Sequence, residues 1–388
     1  MEKTLLSIAL ILIATKIGGI ISQKLKMPEV LGALLAGVIL GPMVFHVVAY
    51  TSNIQLLGNI GVIFLMFLAG IETNIEQMKA SGKSATVIAL LGVIFPLVLG
   101  TICSSFFSRD LYEAIFIGIV LSATSVSITV ETLTELGKLN TRVGINVLGA
   151  AVIDDILGLL LISVLLATND TNSSPETLAF TLIKIVVFCG VSLMAIAFLP
   201  KYFNKLLKNL ENSRTLVTFV IAAALLVACI AENLGIAAIT GAYLFGLMLS
   251  KFDHKEYIER NVKAISAAFL SPIFFASVGL SMVAVPFSTR ILLITIVLFV
   301  VAVIGKLFGC GIGAYLFKMS KQESIQVGIG MISRGEVAII TANIGLQNKI
   351  ISETIFIPVI LIVLLTTIIT PILLKRAFSH KYKKQEQS

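Results

Sequence analysis

Residues 150–160 read Ala-Ala-Val-Ile-Asp-Asp-Ile-Leu-Gly-Leu-Leu, so two adjacent carboxylates interrupt an otherwise apolar run. The run extends over residues 143–167 and is long enough to cross a bilayer as a helix. Ionisable groups at that depth are costly and normally face a partner or water. A purely structural ion pair would need one carboxylate, so Asp154 and Asp155 together predict a functional site inside a membrane span.

The composition of the whole chain is that of an integral membrane protein. Of its 388 residues, 57% are hydrophobic and 13% are charged, and the mean hydropathy is +1.03. A water-soluble protein carries about 25% charged residues, roughly twice the fraction found here. We therefore expect no separate soluble domain, and we expect the first apolar run to be a retained helix.

Apolar runs and basic residues together predict the topology. The runs indicate thirteen membrane spans, near residues 4–21, 28–45, 54–71, 84–107, 112–135, 143–167, 177–199, 214–231, 234–250, 265–283, 290–317, 323–346 and 354–374. If the N-terminus is outside, inside segments carry 21 of the 29 Lys and Arg residues and outside segments carry four. This bias predicts an N-out, C-in protein of the cell membrane, most simply a bacterial inner membrane. The net charge of +8 then marks the cytoplasmic face beside anionic lipid, not a nucleic-acid site.

A weak internal repeat links the two halves of the chain. Residues 32–40 and 241–249 share the pattern GAxLxGxxL at an offset of 209, and Ile63-Phe64 and Ile273-Phe274 are similar at an offset of 210. The matching spans are the second and the ninth, so they cross the membrane in opposite directions. Such inverted repeats are typical of secondary transporters.

Two spans are polar where a lipid-facing helix would be apolar. They contain Leu-Ser-Ala-Thr-Ser-Val-Ser-Ile-Thr at 121–129 and Gly-Met-Ile-Ser-Arg-Gly-Glu at 330–336. Hydroxyls that bond to their own helix would explain each stretch alone. Because the stretches lie at corresponding positions of the two halves, they predict a pair of discontinuous helices beside a midplane binding site.

Further charged residues surround the predicted site. Lys306 lies near the centre of the eleventh span, where one of the two aspartates could face it while the other faces a cavity, because consecutive helical residues point about 100° apart. Arg334 and Glu336 flank Gly335 in the second break, where they could neutralise the partial charges of exposed helix ends. Glu131 is a candidate for the same role in the fifth span.

The stretches LSATSVSITVETLTELGKL at 121–139 and GAAVIDDILGLLL at 149–161, with Lys306 and SRGEVA at 333–338, resemble the monovalent cation:proton antiporters, specifically the branch with paired aspartates. The resemblance covers essentially the whole chain. It implies Asp155 as the main carboxylate for a cation or a proton, and Asp154 as the partner of Lys306. Thr124 and Ser125 are expected to help Asp154 and Asp155 bind the cation or proton. They stand where some relatives carry an acidic residue, so part of the charge compensation is expected at Glu336.

The resemblance also implies an architecture and an assembly. The expected fold is all-α, with an inverted repeat, two crossed broken helices and a homodimer. The expected domains are residues 1–72 and 214–283 for dimerisation, 84–168 and 290–376 for the ion-transport core, 177–200 as a linker helix, and 377–388 as a cytoplasmic tail. The nucleotide-binding domain of some relatives is not expected, since the chain stops shortly after the last span.

Elementary chemistry favours exchange of a cation for a proton even when the family resemblance is set aside. Burial disfavours an ionised carboxyl and a nearby cation favours it, so Na⁺ and H⁺ compete for the same oxygens. Hard oxygen ligands suit Na⁺, Li⁺ or K⁺, and we favour Na⁺, with no cofactor besides the transported ions. An intramembrane aspartyl protease would bring its two aspartates from separate helices, so we do not expect an enzyme. A coupled carrier of an organic anion and a cation channel are the alternatives that stay open.

Overall fold

The computed structural model describes residues 2–169, 214–281 and 288–385, together with 183, 184, 187, 188, 190–192, 194–196 and 198–200. The regular structure of these residues is helical. A π-helical turn at Ser266–Leu270 joins the helices Lys255–Ile265 and Ser271–Leu280. The helices are α1 Glu2–Lys24, α2 Glu29–Leu40, α3 Ser52–Glu72, α4 Ile75–Ser104, α5 Leu111–Ser122, α6 Val126–Glu135, α7 Arg142–Asn169, α8 Arg214–Asn233, α9 Ala238–Leu249, α10 Lys255–Ile265, α11 Ser271–Leu280, α12 Thr289–Leu316, α13 Lys321–Gly330, α14 Glu336–Gln347 and α15 Glu353–Gln385.

These helices have the lengths and composition of a multi-pass membrane protein. Within the described residues, nine helical segments are long and apolar enough to span a bilayer, counting α5 with α6 and α10 with α11 as single segments. Shorter apolar helices include α2, α9 and the segment Val337–Leu346 of α14. The predicted all-α membrane fold is confirmed. Of the 24 residues of the predicted linker helix at 177–200, which includes the seventh span, 11 lie outside the described residues.

The start of α4 and the end of α15 are among the helix boundaries that differ from those expected. Helix α4 begins at Ile75 and not near residue 84, because the Asn74 side chain caps it by accepting hydrogen bonds from the backbone N–H groups of Glu76 and Gln77 at 3.0 and 3.1 Å. Helix α15 continues to Gln385, so most of the predicted tail at 377–388 extends the last helix. The added residues include no Gly or Pro that would end a helix.

The internal repeat is visible in the packing of the helices. Gly37 brings α2 against the backbone carbonyl of Ala276 in α11, and Gly246 brings α9 against the carbonyl of Phe67 in α3. Residues 37 and 246 differ by 209, and so do residues 67 and 276. A side chain at either glycine would overlap the facing carbonyl, as is common where membrane helices approach closely. The two contacts are therefore copies of one contact, with the halves of the chain exchanged.

The helices pack into two groups. Helices α1, α2, α3, α8, α9 and α11 pack on one another, and we call them the frame group. Helices α4, α5, α7, α12, α13, α14 and α15 form the core group, within which α4 packs on α5, α7 and α12. Helix α6 lies at the boundary and contacts α2 and α3 as well as α7 and α15. The assignment of these groups as dimerisation and transport domains stays a prediction.

Candidate functional site

Asp154 and Lys306 form a buried ion pair between α7 and α12. The Lys306 Nζ lies 2.8 Å from Asp154 Oδ1, and the two side chains are 0% and 2% exposed. A buried charge persists only when it is paired and hydrogen-bonded, so each group depends on the other. The structure thus brings together one of the two adjacent aspartates and the mid-helix lysine.

Close packing of α12 on α4 places Lys306 at this depth. Gly305, Gly309 and Gly313 are spaced by four residues and lie against the backbone of α4. On the α4 side, Gly92 makes room for Cys310 of α12, because a Cβ there would overlap the Cys310 Sγ, and this Cβ position lies 3.8 Å from Lys306 Nζ. A stripe of small residues thus lets the two helices approach closely while the lysine side chain remains within the protein.

Asp155 points to a different neighbour. Its Oδ2 accepts a hydrogen bond of 3.0 Å from the hydroxyl of Thr240, which lies in the first turn of α9. Asp155 is half-buried, whereas Thr240 is 2% exposed. The adjacent aspartates therefore have different environments: Asp154 faces a lysine of the core group, and Asp155 contacts a hydroxyl of the frame group.

The two predicted breaks cross one another. Helix α5 ends at Ser122 and α6 begins at Val126, while α13 ends at Gly330 and α14 begins at Glu336. The backbone N–H of Ser125 donates to the carbonyl of Ser333 at 2.8 Å. The Thr129 hydroxyl donates to the carbonyl of Gly330 at 2.7 Å. Backbone released from each helix is thus satisfied in part by the other broken helix, as non-helical backbone at membrane depth requires.

Arg334 stabilises the crossing from within. It is 1% exposed, and its guanidinium donates to the carbonyls of Leu121, Ile332 and Ala302 at 2.5, 2.7 and 3.2 Å. Leu121 belongs to the last turn of α5, so the positive charge meets the negative end of that half-helix. The structure therefore places Arg334 where it can compensate the first break as well as its own.

Two hydroxyls at the crossing lack a hydrogen-bond partner within the described residues. They are Thr124 Oγ1 and Ser333 Oγ, which are 4% and 0% exposed and occupy repeat-related positions 209 residues apart. Ser125 Oγ, in contrast, lies 3.2 Å from Ser127 Oγ. Buried hydroxyls of this kind are normally completed by a water or an ion. Thr124 is therefore suited to the ligand role expected for it.

The two remaining candidates are the glutamates Glu336 and Glu131. Glu336 is positioned by its backbone as the first residue of α14. Glu131 lies more than a turn beyond the first break, because α6 begins only at Val126. It lines two cavities of about 110 and 60 Å³ between α6 and helices on the frame side, beside Lys16 and Lys263 respectively. The role of Glu131 in compensating the helix break stays a prediction.

Comparison with known proteins places the chain in a family. A family model described as "Sodium/hydrogen exchanger, transmembrane" matches residues 8–379. The chain belongs to this family. It is 38% identical over 384 residues to a protein of Bacillus cereus named Na(+)/H(+)-K(+) antiporter GerN, with 98% of each chain covered. It is 37% identical over 370 residues to a Na(+)/H(+) antiporter of Enterococcus hirae, with 95% of this chain and 96% of that protein covered.

Solved structures of the sodium proton antiporter MjNhaP1 from Methanocaldococcus jannaschii share the fold of this exchanger-family chain. One matches with a TM-score of 0.69 at 19% identity and covers 97% of each chain. An electron-microscopy structure matches with a TM-score of 0.75 at 17% identity, covering 96% of this chain and 95% of that one. The sequence-based resemblance to cation:proton antiporters is confirmed.

Several residues of the candidate site were not predicted from the sequence. Thr240 directly precedes the repeated GAxLxGxxL pattern. This position was the available signal that Thr240 lies near the start of a helix. Thr366 and Thr367 hold the second break: Thr366 Oγ1 accepts from the Arg334 N–H at 3.2 Å, and Thr367 donates to the Arg334 carbonyl at 2.6 Å. A cluster of threonines in the last apolar run at 366, 367 and 370 was the available signal.

Proposed function

We propose that this protein exchanges Na⁺ for H⁺ across the cell membrane by alternating access, with Asp155 as the shared binding group. The observation that carries the proposal is that the adjacent aspartates differ in their partners and in their burial. Asp154 is paired with Lys306 in a buried salt bridge, whereas Asp155 is half-buried and accepts a hydrogen bond from the Thr240 hydroxyl. One carboxylate in this pair is thus better placed than the other to exchange its partner.

Competition at Asp155 supplies the coupling. Partial burial favours the protonated form of a carboxyl, and a bound cation favours the ionised form. Each ion must therefore leave before the other binds. If the core group moves past the frame group only when the site is loaded, Na⁺ and H⁺ travel in opposite directions on alternate half-cycles.

The neighbouring groups have supporting roles in this proposal. Asp154 and Thr124 supply further oxygen atoms near the cation, Ser125 supplies backbone and hydroxyl atoms at the crossing, and Lys306 is a second proton carrier. Arg334 and Glu336 balance the charges of the half-helix ends, which point toward the crossing. No step requires a cofactor or a covalent intermediate.

K⁺ is a second candidate cation, because one relative at 38% identity is named a Na(+)/H(+)-K(+) antiporter. Oxygen ligands accept either ion, and selectivity depends on the size and flexibility of the site. We favour Na⁺ and treat K⁺ and Li⁺ as competitors that the transport experiment ranks.

Purified protein in liposomes that contain a pH-sensitive dye tests the proposal. Addition of Na⁺, Li⁺ or K⁺ should change the internal pH at a rate that saturates with cation concentration. Protein-free liposomes and the Asp155→Asn variant are the controls. A complete lack of response between pH 6 and 9 would exclude exchange, and a cation current without saturation or proton movement would indicate a channel. Proton movement that requires an organic anion instead would indicate a carrier.

A further inference from the structure

The hydrogen bond between Asp155 and Thr240 joins the two helix groups at the proposed binding residue. Asp155 lies on α7 of the core group, and Thr240 lies on α9 of the frame group. The donor is a buried hydroxyl in a helix that packs on α3 and α8. Any motion that carries Asp155 past the frame must break this bond.

A second carboxylate contact with the frame involves α2, the frame helix that is repeat-related to α9. The Glu135 carboxylate, at the end of α6, accepts hydrogen bonds from the backbone N–H groups of Glu29 and Val30 at 2.7 and 3.0 Å. These are the first two residues of α2, which corresponds to α9 in the repeat. Carboxylates of α7 and α6, two helices outside the frame group, thus contact the first turns of both short frame helices. Of the two, only Asp155 is a group whose charge changes during the proposed cycle.

The strength of the Thr240 contact depends on what Asp155 has bound. A hydroxyl donates a stronger hydrogen bond to an ionised carboxylate than to a neutral carboxyl group. Protonation removes the negative charge, and a bound Na⁺ draws on the same oxygen atoms. The bond is therefore strongest when Asp155 is ionised and empty.

We propose that Thr240 is a positioning residue that holds the empty, ionised Asp155 against the frame and so opposes movement of the unloaded core. This inference rests on the proposed exchange function. Its consequence is tight coupling: a core that has released Na⁺ waits for a proton before it moves, and a core that has released a proton waits for Na⁺. Without the hydroxyl, the empty core returns more readily and Na⁺ leaks without proton exchange.

The replacement Thr240→Val tests this role because it removes the hydroxyl and keeps the shape of the side chain. Thr240→Ser keeps the hydroxyl and should behave as wild type. Thr295→Val is the matched control, since Thr295 is a buried threonine whose hydroxyl bonds to its own helix at the Ile291 carbonyl. Thr240→Ala provides a second hydroxyl-free variant if the valine variant does not assemble.

The measurement is the ratio of Na⁺ moved to H⁺ moved in proteoliposomes, from radioactive sodium and an internal pH dye in the same preparation. We expect Thr240→Val to retain exchange but to raise proton-independent Na⁺ movement by roughly tenfold, the difference between hydrogen bonds to charged and neutral acceptors. Thr240→Ser and Thr295→Val should keep the wild-type ratio.

Two results would overturn the role of Thr240. One is an unchanged Na⁺ to H⁺ ratio in folded Thr240→Val and Thr240→Ala proteins. The other is a complete loss of transport in both variants, because the proposal requires exchange to continue without the hydroxyl. Failure of the proposed function itself is distinguishable, since then the wild-type protein would show no cation-dependent proton movement.

Discussion

At the scale of single residues, the adjacent aspartates differ in what surrounds them, and this difference predicts different effects of their loss. Asp155→Asn removes the cation ligand and the titratable group together while leaving the Asp154–Lys306 pair intact. We expect a folded protein without exchange, measured by the dye assay and by size-exclusion chromatography. Asp253→Asn removes an exposed carboxylate elsewhere and serves as the control. Near-normal exchange in Asp155→Asn would contradict the assignment.

The buried ion pair predicts a stability effect that is separate from transport. Lys306→Gln leaves Asp154 buried without its cationic partner, which costs about 3–5 kcal/mol in typical proteins unless the carboxyl takes up a proton. The double replacement Asp154→Asn with Lys306→Gln removes both charges and should restore much of this loss. Thermal unfolding of the purified variants in detergent measures the coupling between them. Additive losses of stability in the double variant would show that the two groups do not act as a pair.

At the scale of helices, the repeat-related glycine contacts predict where a single methyl group is not tolerated. In Gly246→Ala the added carbon would overlap the carbonyl of Phe67, so α9 and α3 must separate. We expect a loss of about 1–3 kcal/mol, as for other overpacked sites. Gly82→Ala is the matched control, because a Cβ there meets no atom within 4 Å. That replacement should leave stability unchanged or raise it by about 0.4–1 kcal/mol. Equal thermal stability of the two variants would contradict the close contact.

The helix breaks could be predicted from the sequence because the residues that cause each break lie within the break itself. Polar residues interrupt the apolar runs at 124 and 125 and again at 333 and 334, and unwound backbone at that depth needs such residues. The partners of Arg334 were not predictable in this way, since Leu121 and Ala302 contribute only backbone carbonyls, which every residue has. Thr240 was missed for a related reason. Its contact with Asp155 joins residues 85 positions apart, and the sequence contains no pattern that pairs them.

Helix ends were predicted least well where polar segments continue a helix. The span search identified the apolar part of α4 but not the turns from Ile75, whose N-cap Asn74 lies among polar residues. The same limit applied to α15, whose charged final turns continue beyond the apolar run. Membrane-span patterns report the thickness of the bilayer and not the length of the helix.

At the scale of the whole molecule, movement of the core requires a frame that stays fixed. The helices of the frame group lie within residues 1–72 and 214–283, which form the proposed dimerisation domain. We expect a homodimer when the protein is measured by mass photometry or native mass spectrometry in lipid nanodiscs. Full transport activity from a preparation that is monomeric in lipid would contradict this assembly.

The charges of the site predict how each cycle responds to membrane voltage. With Asp154 and Asp155 ionised and Lys306 neutral, the group carries two negative charges. One bound Na⁺ leaves a single negative charge, whereas protons on both Asp155 and Lys306 leave none. If Lys306 releases its proton when Na⁺ draws Asp154 away, each cycle exchanges two protons for one Na⁺ and moves net charge. If Lys306 stays protonated as a structural ion pair, the exchange is one for one and electrically silent.

We expect the electrogenic cycle, because two carboxylates and an amine include one more titrating group than a silent exchanger needs. Such coupled groups titrate together, so the experiment must measure the charge moved across the membrane and not the pKa of one residue. In proteoliposomes under an imposed potassium-diffusion potential, the rate and end point of sodium-driven pH change should depend on voltage. The double variant Asp154→Asn with Lys306→Gln should lose that dependence in whatever exchange remains, since it has only Asp155 to carry a proton. A wild-type rate and end point that ignore voltage would show that Lys306 carries no transported proton, and the ion pair would then have a structural role alone.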